Sequence, residues 1–455
     1  MKKIIYYLVS LLIVIIVSII IFEIILNIVP LIYRNLKNNS NKTYVYLLGE
    51  SSAFGAPYSG KISFSKIIKY NLANRINNKK IEPIIIAAPG NRMIHQYFKY
   101  FTYKYTHPFK KGIVFMYMGT NNWAIKEEKH FSKERFLKFN IFNLINQCFG
   151  NQYDFEYEFE KIILLAKSFG DDLYISTIVG NYAGFMPENI ATLSDNFYYI
   201  DDLIFNKKYD FALSKCNDML KKYKDKSQIW YRIGKIYEKQ NRIKEAKESY
   251  LNAIEYGYDA RPTRYQNSII KKLAYKYNIP ITDTFSKLNN SDEITGYNFF
   301  IDKIHPNIRL HKIIAEGFIE LLSKKYNLSV NKNFSEKEIL KISKFNDNDL
   351  FVLHRDGLGE IIIYSYRGDN IIDRFNLEII KQHMALLKNI AHDNEQKITL
   401  LFFDALLEYI QGNKIETLRI IKSNDLTKYF DTIKIHGWKL FFKEWFINLV
   451  EEEKT

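Results

Sequence analysis

A serine hydroxyl becomes a nucleophile when an imidazole takes its proton. The imidazole in turn needs an acceptor that fixes its tautomer and stabilises its charged form. Two segments of the 455-residue chain carry residues of these types. Leu48-Gly49-Glu50-Ser51-Ser52-Ala53-Phe54-Gly55 closes an apolar run and sets Ser51 near a glycine that lets the chain turn sharply. Far downstream, Phe300-Ile301-Asp302-Lys303-Ile304-His305-Pro306-Asn307 carries Asp302 and His305 on one short stretch. Three residues of separation let the carboxylate reach the ring locally, and Pro306 favours an extended or turn conformation at His305. Each segment alone has a plainer reading. Ser51 could be a helix N-cap, and Asp302 and His305 could be surface residues before a proline-initiated helix.

Two further sites complete a chemical set. In Ala88-Pro89-Gly90-Asn91, Gly90 can bring its backbone N–H close to a substrate oxygen. In Met118-Gly119-Thr120-Asn121-Asn122, the Asn121 side-chain amide can donate. With the Ser51 N–H these would form an oxyanion hole, where one donor lowers a barrier by ~3 kcal/mol. His95 and His130 read as ordinary surface residues, and no cluster of histidines and carboxylates asks for a metal or another cofactor. His354-Arg355-Asp356 matches a kinase catalytic loop by chance, since no glycine-rich phosphate loop accompanies it.

The elements that must hold these residues are short apolar runs separated by longer amphipathic stretches. Thr43 to Leu48, Pro83 to Ala88, Gly112 to Met118 and Asp172 to Val179 are apolar throughout rather than alternating, as parallel strands covered on both faces should be. The predicted core is an α/β fold of doubly wound type, in which ligands sit beyond the carboxyl ends of the strands. Ser51, Gly90 and Asn121 each follow such a run.

Taken in order, Ser51, Gly90, Asn121 and His305 resemble the four signature residues of the SGNH (GDSL-like) hydrolases. The blocks read Gly-Glu-Ser for Gly-Asp-Ser, a glycine after the second strand, Gly-Thr-Asn-Asn for Gly-x-Asn-Asp, and Asp-Lys-Ile-His for Asp-x-x-His. Glu50 and Asn122 each stand where the family has aspartate. The resemblance spans about Thr43 to Leu328. It implies a flavodoxin-like three-layer fold with a parallel sheet, and ester hydrolysis or acyl transfer through a serine ester. In that scheme Ser51 attacks, His305 moves the proton, Asp302 orients His305, and Ser51, Gly90 and Asn121 hold the oxyanion. Ser176 to Pro187, with Asn181, is similar to a subset of these proteins that pair a membrane anchor with an internal tetratricopeptide insertion.

Between Leu193 and Tyr258 the strand signal gives way to helical patterning. Trp230, Ile233, Gly234, Tyr237, Ala246, Tyr250 and Ala253 are spaced as in a tetratricopeptide repeat, and the preceding window is a degenerate copy at best. An ordinary helical hairpin is the alternative, because a lone repeat cannot bury its own faces. Residues 193–258 are therefore expected to interrupt a hydrolase domain of residues 43–330, away from the bond-breaking residues. Residues 333–455 read as mostly helical with no assignable role; Leu400 to Ile421 is a helical pair broken at Gly412-Asn413.

Residues 1–36 read as an uncleaved transmembrane anchor. Lys2 and Lys3 precede an uncharged stretch from Ile4 to Phe22, apolar residues continue after Glu23 to Tyr33, and no small-residue cleavage site appears. Lys2 and Lys3 favour a cytoplasmic amino end, with the remainder outside the cytoplasm, against the opposing pull of Arg34, Lys37 and Lys42. The net charge of +15 is spread along a chain that is 47% hydrophobic and rich in Lys, Asn, Ile and Tyr, which argues against a nucleic-acid surface. Cys148 and Cys216 have no metal or disulfide spacing. The expected partners are an acyl ester on a small molecule, glycan or lipid, the membrane, and a protein held by the repeat. The alternative from another class is an inactive membrane-tethered scaffold.

Overall fold

The structure, a computed structural model, describes residues 2–35, 41–121, 155–187, 195–223, 226–257, 261–328, 334–365 and 374–429. Asn122, His130 and Cys148 lie outside the described residues, as do the boundary positions 36, 193, 258, 330 and 333. Six strands form one sheet: β1 (Lys42–Gly49), β2 (Arg75–Ile76), β3 (Lys79–Ile85), β4 (Gly112–Tyr117), β5 (Asp172–Ser176) and β6 (Ile281–Thr282). Their order is β2-β3-β1-β4-β5-β6, parallel throughout except for the antiparallel pair β2–β3. Leaving aside the two-residue β2, the parallel strands follow the 2-1-3-4-5 order of the flavodoxin type.

The expectation of a purely parallel sheet needs correction at its edge. The second strand runs from Lys79 to Ile85 rather than from Pro83 to Ala88, because a hairpin precedes it. Asn77 and Asn78 sit at its turn with φ of 49° and 61°, the positive pair that a two-residue hairpin with the sheet's twist requires. Pro83 lies where β3 has β1 on one side and no strand on the other among the described residues, a position that tolerates a missing N–H.

The helices before the sheet's fifth strand are α1 (Lys2–Asn35), α2 (Ser51–Phe54), α3 (Phe64–Asn71), α4 (Met93–Thr106) and α5 (Phe155–Ser168). Next come α6 (Asp195–Phe205), α7 (Tyr209–Lys222), α8 (Ser227–Lys239), α9 (Ile243–Tyr256), α10 (Arg264–Lys276), α11 (Thr284–Asn289) and α12 (Ile308–Tyr326). The last are α13 (Glu336–Ile342), α14 (Asp347–Ser365), α15 (Leu377–Ile390), α16 (Asn394–Ile410) and α17 (Lys414–Ser423).

Strand periodicity assigns the two faces of the sheet. Phe115 and Tyr117 meet α3 and α12, with Phe115 4.7 Å from Phe318 and Phe64 5.9 Å from Tyr117 between ring centres. Tyr46, on the opposite face, lies 5.5 Å from Tyr100 of α4, which packs on α5 and through it on α10. The layers are thus helix, sheet, helix, around a core that both faces share.

Helices α6 to α9 form two hairpins between β5 and β6 in the chain. Within α8–α9 a Cβ on Gly234 would come 2.6 Å from Tyr250 Cε1, so the glycine lets the two helices close on that ring. The first hairpin packs on Ile229, Ile233 and Ile236 of α8, whereas Tyr231, Ala246, Tyr250 and Ala253 join the core of the sheet domain. Helices α14 to α17 build a second core that takes in Phe185 from the segment after β5, while Ile339 of α13 joins the core of the sheet domain.

Helix α1 contains a 25-residue span from Ser10 to Arg34, whose most apolar 18 residues have a mean hydropathy of 3.1, long and apolar enough to cross a membrane. At 1.5 Å per residue it reaches about 37 Å, more than a bilayer core needs. Its carboxyl end docks on the domain, with Leu26 buried, its carbonyl accepting from Tyr105 Oη at 2.6 Å, and Tyr33 against Phe109.

Candidate active site

Ser51 stands at the first position of α2, directly beyond β1. Gly49 makes the tight exit: a Cβ there would lie 2.2 Å from the Tyr117 carbonyl oxygen at the end of β4. Glu50 is the N-cap position, but its side chain does not cap the helix. It is fully buried and turns to the next strand end, accepting the Gly119 N–H at 2.8 and 3.0 Å, the Thr120 N–H at 3.3 Å and the Thr120 hydroxyl at 3.1 Å. Burial pushes its carboxyl up to about 7, against the pull of those donors. In the sequence Glu50 was only a departure from a pattern; here it fastens the turn bearing Ser51 to the turn bearing Asn121.

Asn121 in turn donates from Nδ2 to the Asn91 carbonyl at 2.8 Å. A side-chain amide has a second N–H, so the group that ties the two turns together still has one donor to spend on another acceptor. Gly90 is exposed, with φ of 71°, and a Cβ on it would meet nothing within 4 Å. Its glycine is required by the left-handed backbone rather than by crowding. The Ser51 N–H, in the first turn of α2, has no acceptor within its own helix. Three donors expected from the sequence therefore lie on strand ends that Glu50 and Asn121 knit together.

The loop with Asp302 and His305 is a closed ring. Ile301 N donates to the His305 carbonyl at 3.0 Å and Asn307 N to the Phe299 carbonyl at 2.9 Å. Inside it Asp302 Oδ1 accepts from the backbone of Ile304 and His305, at 2.9 and 2.8 Å, while Oδ2 meets His305 Nδ1 at 2.6 Å. Burial opposes charge on Asp302, yet the His305 ring and these N–H groups outweigh it and hold the carboxyl below its usual range. Burial likewise opposes charge on His305, and Asp302 outweighs it, with help from Glu360, so the imidazole titrates above its usual range. With Nδ1 committed to an ionised Asp302, Nε2 is left with a free lone pair, on a side chain that is 19% exposed.

Two contacts seat this ring against the turn of Ser51 and the sheet. Ser52 Oγ donates to the Ile304 carbonyl at 3.1 Å. Asn181, fully buried after β5, donates from Nδ2 to the Asp302 carbonyl at 2.8 Å, and buried Arg261 donates to the Asn181 carbonyl at 2.7 Å. No hydrogen bond joins Ser51 Oγ to His305 among the described residues, as is common before substrate draws such pairs together. Arg261 was missed from sequence, having no motif around it. His95 has a structural role, its Nδ1 accepting from the Arg92 N–H at the start of α4.

No protein-family model and no curated protein matches the sequence. Among solved structures, the chain is similar to a lipase/acylhydrolase from Enterococcus faecalis, with 10% identity over 64% of this chain and 99% of that one and a TM-score of 0.32. It is also similar to a catalytic mutant of an acetylxylan esterase from Geobacillus stearothermophilus, with 10% identity over 62% and 93% of the two chains and a TM-score of 0.30. Overlaps this slight carry no functional argument, and the chemistry must be read from the residues themselves.

Proposed function

We propose that this protein is a serine-dependent ester hydrolase or acyltransferase of the SGNH type, held at a membrane by α1. The observation that carries the reading is the buried Asp302 bonded to His305 Nδ1 on a loop tied to the turn of Ser51. Ser51 Oγ attacks the acyl carbon while its proton passes to His305 Nε2. The carbonyl oxygen becomes an oxyanion facing the Ser51 N–H, the Gly90 N–H and the spare Asn121 N–H. His305 then gives the proton to the leaving alcohol, and a serine ester remains. Water or an acceptor hydroxyl, deprotonated by His305, releases the acyl group and restores Ser51.

The carrier of the acyl group is a small molecule, an O-acylated glycan or a lipid presented near the membrane. No metal or organic cofactor enters these steps. Lys2 and Lys3 before the span support a catalytic domain outside the cytoplasm. The close pairing of Gly234 with Tyr250 supports a tetratricopeptide-like reading of α8–α9, and with it a protein partner. The test is covalent labelling of the detergent-solubilised chain by a fluorophosphonate, with the modified residue located by mass spectrometry. Labelling at Ser51 is expected; a folded sample that takes no label overturns the enzyme reading in favour of a tethered scaffold.

A further inference from the structure

The α13–α17 region does not stand apart from the candidate site. At its near end Lys61 Nζ, in the segment following α2, pairs with Asp349 at 2.6 Å, and Phe345 packs 5.6 Å from Tyr58 of the same segment. Two turns further along α14, Gly357 lies against the catalytic loop. A Cβ there would come 2.7 Å from Ile301 Cγ2 and 3.3 Å from the Ile301 carbonyl oxygen, so only glycine admits this approach. Helix α14 therefore spans from the turn after Ser51 to the residue before Asp302. Glu360 follows Gly357 by three positions and so shares its face of the helix.

Glu360 is half-buried, and no hydrogen bond to it is found among the described residues. Burial pushes its carboxyl up to about 7, and it feels the charges of Asp302, His305, Lys303 and Asp356. Lys303 is buried on the catalytic loop, and Asp356 lies one turn back on α14, paired with Arg355. From α15, His383 approaches His354 of α14 at 3.4 Å between Nδ1 atoms, and burial keeps His383 neutral, pushed down to about 4. His311 of α12, near His305, is likewise held neutral by burial, at about 3. Near His305 the carboxyl groups facing it are thus Asp302, which is ionised, and Glu360, which becomes so as pH passes about 7.

We propose that α14 is a wall of the active site and that Glu360 is a positioning residue, a second carboxylate that favours the protonated form of His305. This rests on the hydrolase reading above. Once ionised, Glu360 favours the imidazolium, so removing its charge should let His305 complete the loss of its proton at lower pH. The experiment compares kcat/KM on p-nitrophenyl acetate between pH 4.5 and 9 for wild type, Glu360→Gln and Glu360→Asp, all as the full solubilised chain. In Glu360→Gln the upper part of the acid limb should move down, making the variant ~2- to 3-fold more active near pH 7 relative to its own plateau, while the two proteins converge at pH 4.5 to 5 where Glu360 is protonated. Glu360→Asp, which keeps the charge one methylene further off, should fall between.

Folding of each variant is checked by its thermal melt. If Glu360→Gln does not fold, Glu360→Asp alone decides, and a limb that coincides with wild type overturns the proposal. So does a folded Glu360→Gln whose limb is unmoved while wild type takes the fluorophosphonate at Ser51, an outcome that leaves the hydrolase reading intact. A folded wild type that neither takes the label nor turns over the ester overturns both.

Discussion

Glu50 holds Gly119 through both carboxylate oxygens, at 2.8 and 3.0 Å, and so couples the end of β1 to the end of β4. Ser51 follows one of these residues directly and Asn121 stands two after the other. In the Gly-Asp-Ser block that Gly49-Glu50-Ser51 resembles, a shorter aspartate stands at this position. The longer side chain reaches the same kind of backbone donor, and the geometry of the two turns depends on it.

The titration of Glu50 makes that dependence measurable. Its carboxyl is raised to about 7 from the ordinary 4.5, so the folded chain keeps a proton that the unfolded chain releases. Stability from this group is full below 4.5 and is lost as pH rises through 7, a change on the order of 3 kcal/mol. Glu50→Gln still offers an oxygen to the Gly119 N–H and does not titrate. Thermal melts of the two proteins should show wild type losing ground to Glu50→Gln between pH 4.5 and 7, and a constant difference across that window contradicts the assignment.

Graded damage is expected across the proposed site. Ser51→Ala removes the atom that carries the acyl group, and His305→Ala removes the base, so both should bring turnover to the assay floor. Asn121→Ala leaves nucleophile and base in place and should cost about 100- to 1,000-fold in kcat. Because the Asn121 amide also binds the Asn91 carbonyl, part of that loss should come from slackening of the Gly90 turn. Wild-type turnover by Ser51→Ala on every ester cleaved by the native chain would remove the nucleophile assignment.

The Asp302–His305 pair predicts where activity begins as pH rises. His305 must be neutral to act as base, and Asp302 holds it protonated above its usual range, so the acid limb of kcat/KM should lie above 6.5. Asp302→Asn should shift the limb down and lower the plateau by about 10³- to 10⁴-fold, since an amide cannot stabilise the imidazolium. Stability has the opposite signs for the two groups. The contribution of His305 is full below 6.5 and lost as pH rises through its folded value. That of Asp302 is present above 3.8 and lost as pH falls through its lower folded value. A limb unchanged by Asp302→Asn would show that the carboxylate does not tune the ring.

What the sequence made legible was what lies close along the chain. Asp302 and His305 are three apart, and Ser51, Gly90 and Asn121 each end an apolar run, so type and spacing sufficed. The hairpin at Asn77-Asn78 was also readable, for two asparagines accept the left-handed backbone, but the charged residues around it hid the strand. Asn181 and Arg261 act across separations of 121 and 80 residues by hydrogen bonds to carbonyls, and Glu360 acts by charge on a loop more than 50 residues before it. Such contacts leave no period in a sequence. The same reason concealed how α8–α9 and α14 attach to the site, since an amphipathic helix announces that it has a buried face and not what buries it.

That attachment changes what should follow from cutting the inserted hairpins. The sequence predicts that residues 193–258 are separable from bond breaking, and the structure divides them. Tyr231 Oη and Lys235 Nζ donate to the Ala183 carbonyl at 3.2 and 2.9 Å, and Ala183 stands two residues after the Asn181 that supports Asp302. Lys247 Nζ donates to the carbonyls of Leu288 and Asn289 at 3.2 and 2.9 Å, on the approach to the Asp302–His305 loop. Helices α6 and α7 instead rest on Ile229, Ile233 and Ile236, and Asp201 of α6 pairs with Arg232 at 2.7 Å. A chain lacking residues 195–222, with those three isoleucines made polar, should keep turnover of an activated ester within about threefold. A chain lacking residues 227–256 should lose it, because the carbonyls of Ala183 and Asn289 lose the donors of that hairpin and the sheet core loses Tyr231 and Tyr250. Kinetics on both deletions, each checked for a cooperative melt, decide the matter. Full activity in a folded chain without α8 and α9 would mean that the Asp302–His305 loop holds its geometry without the support of that hairpin.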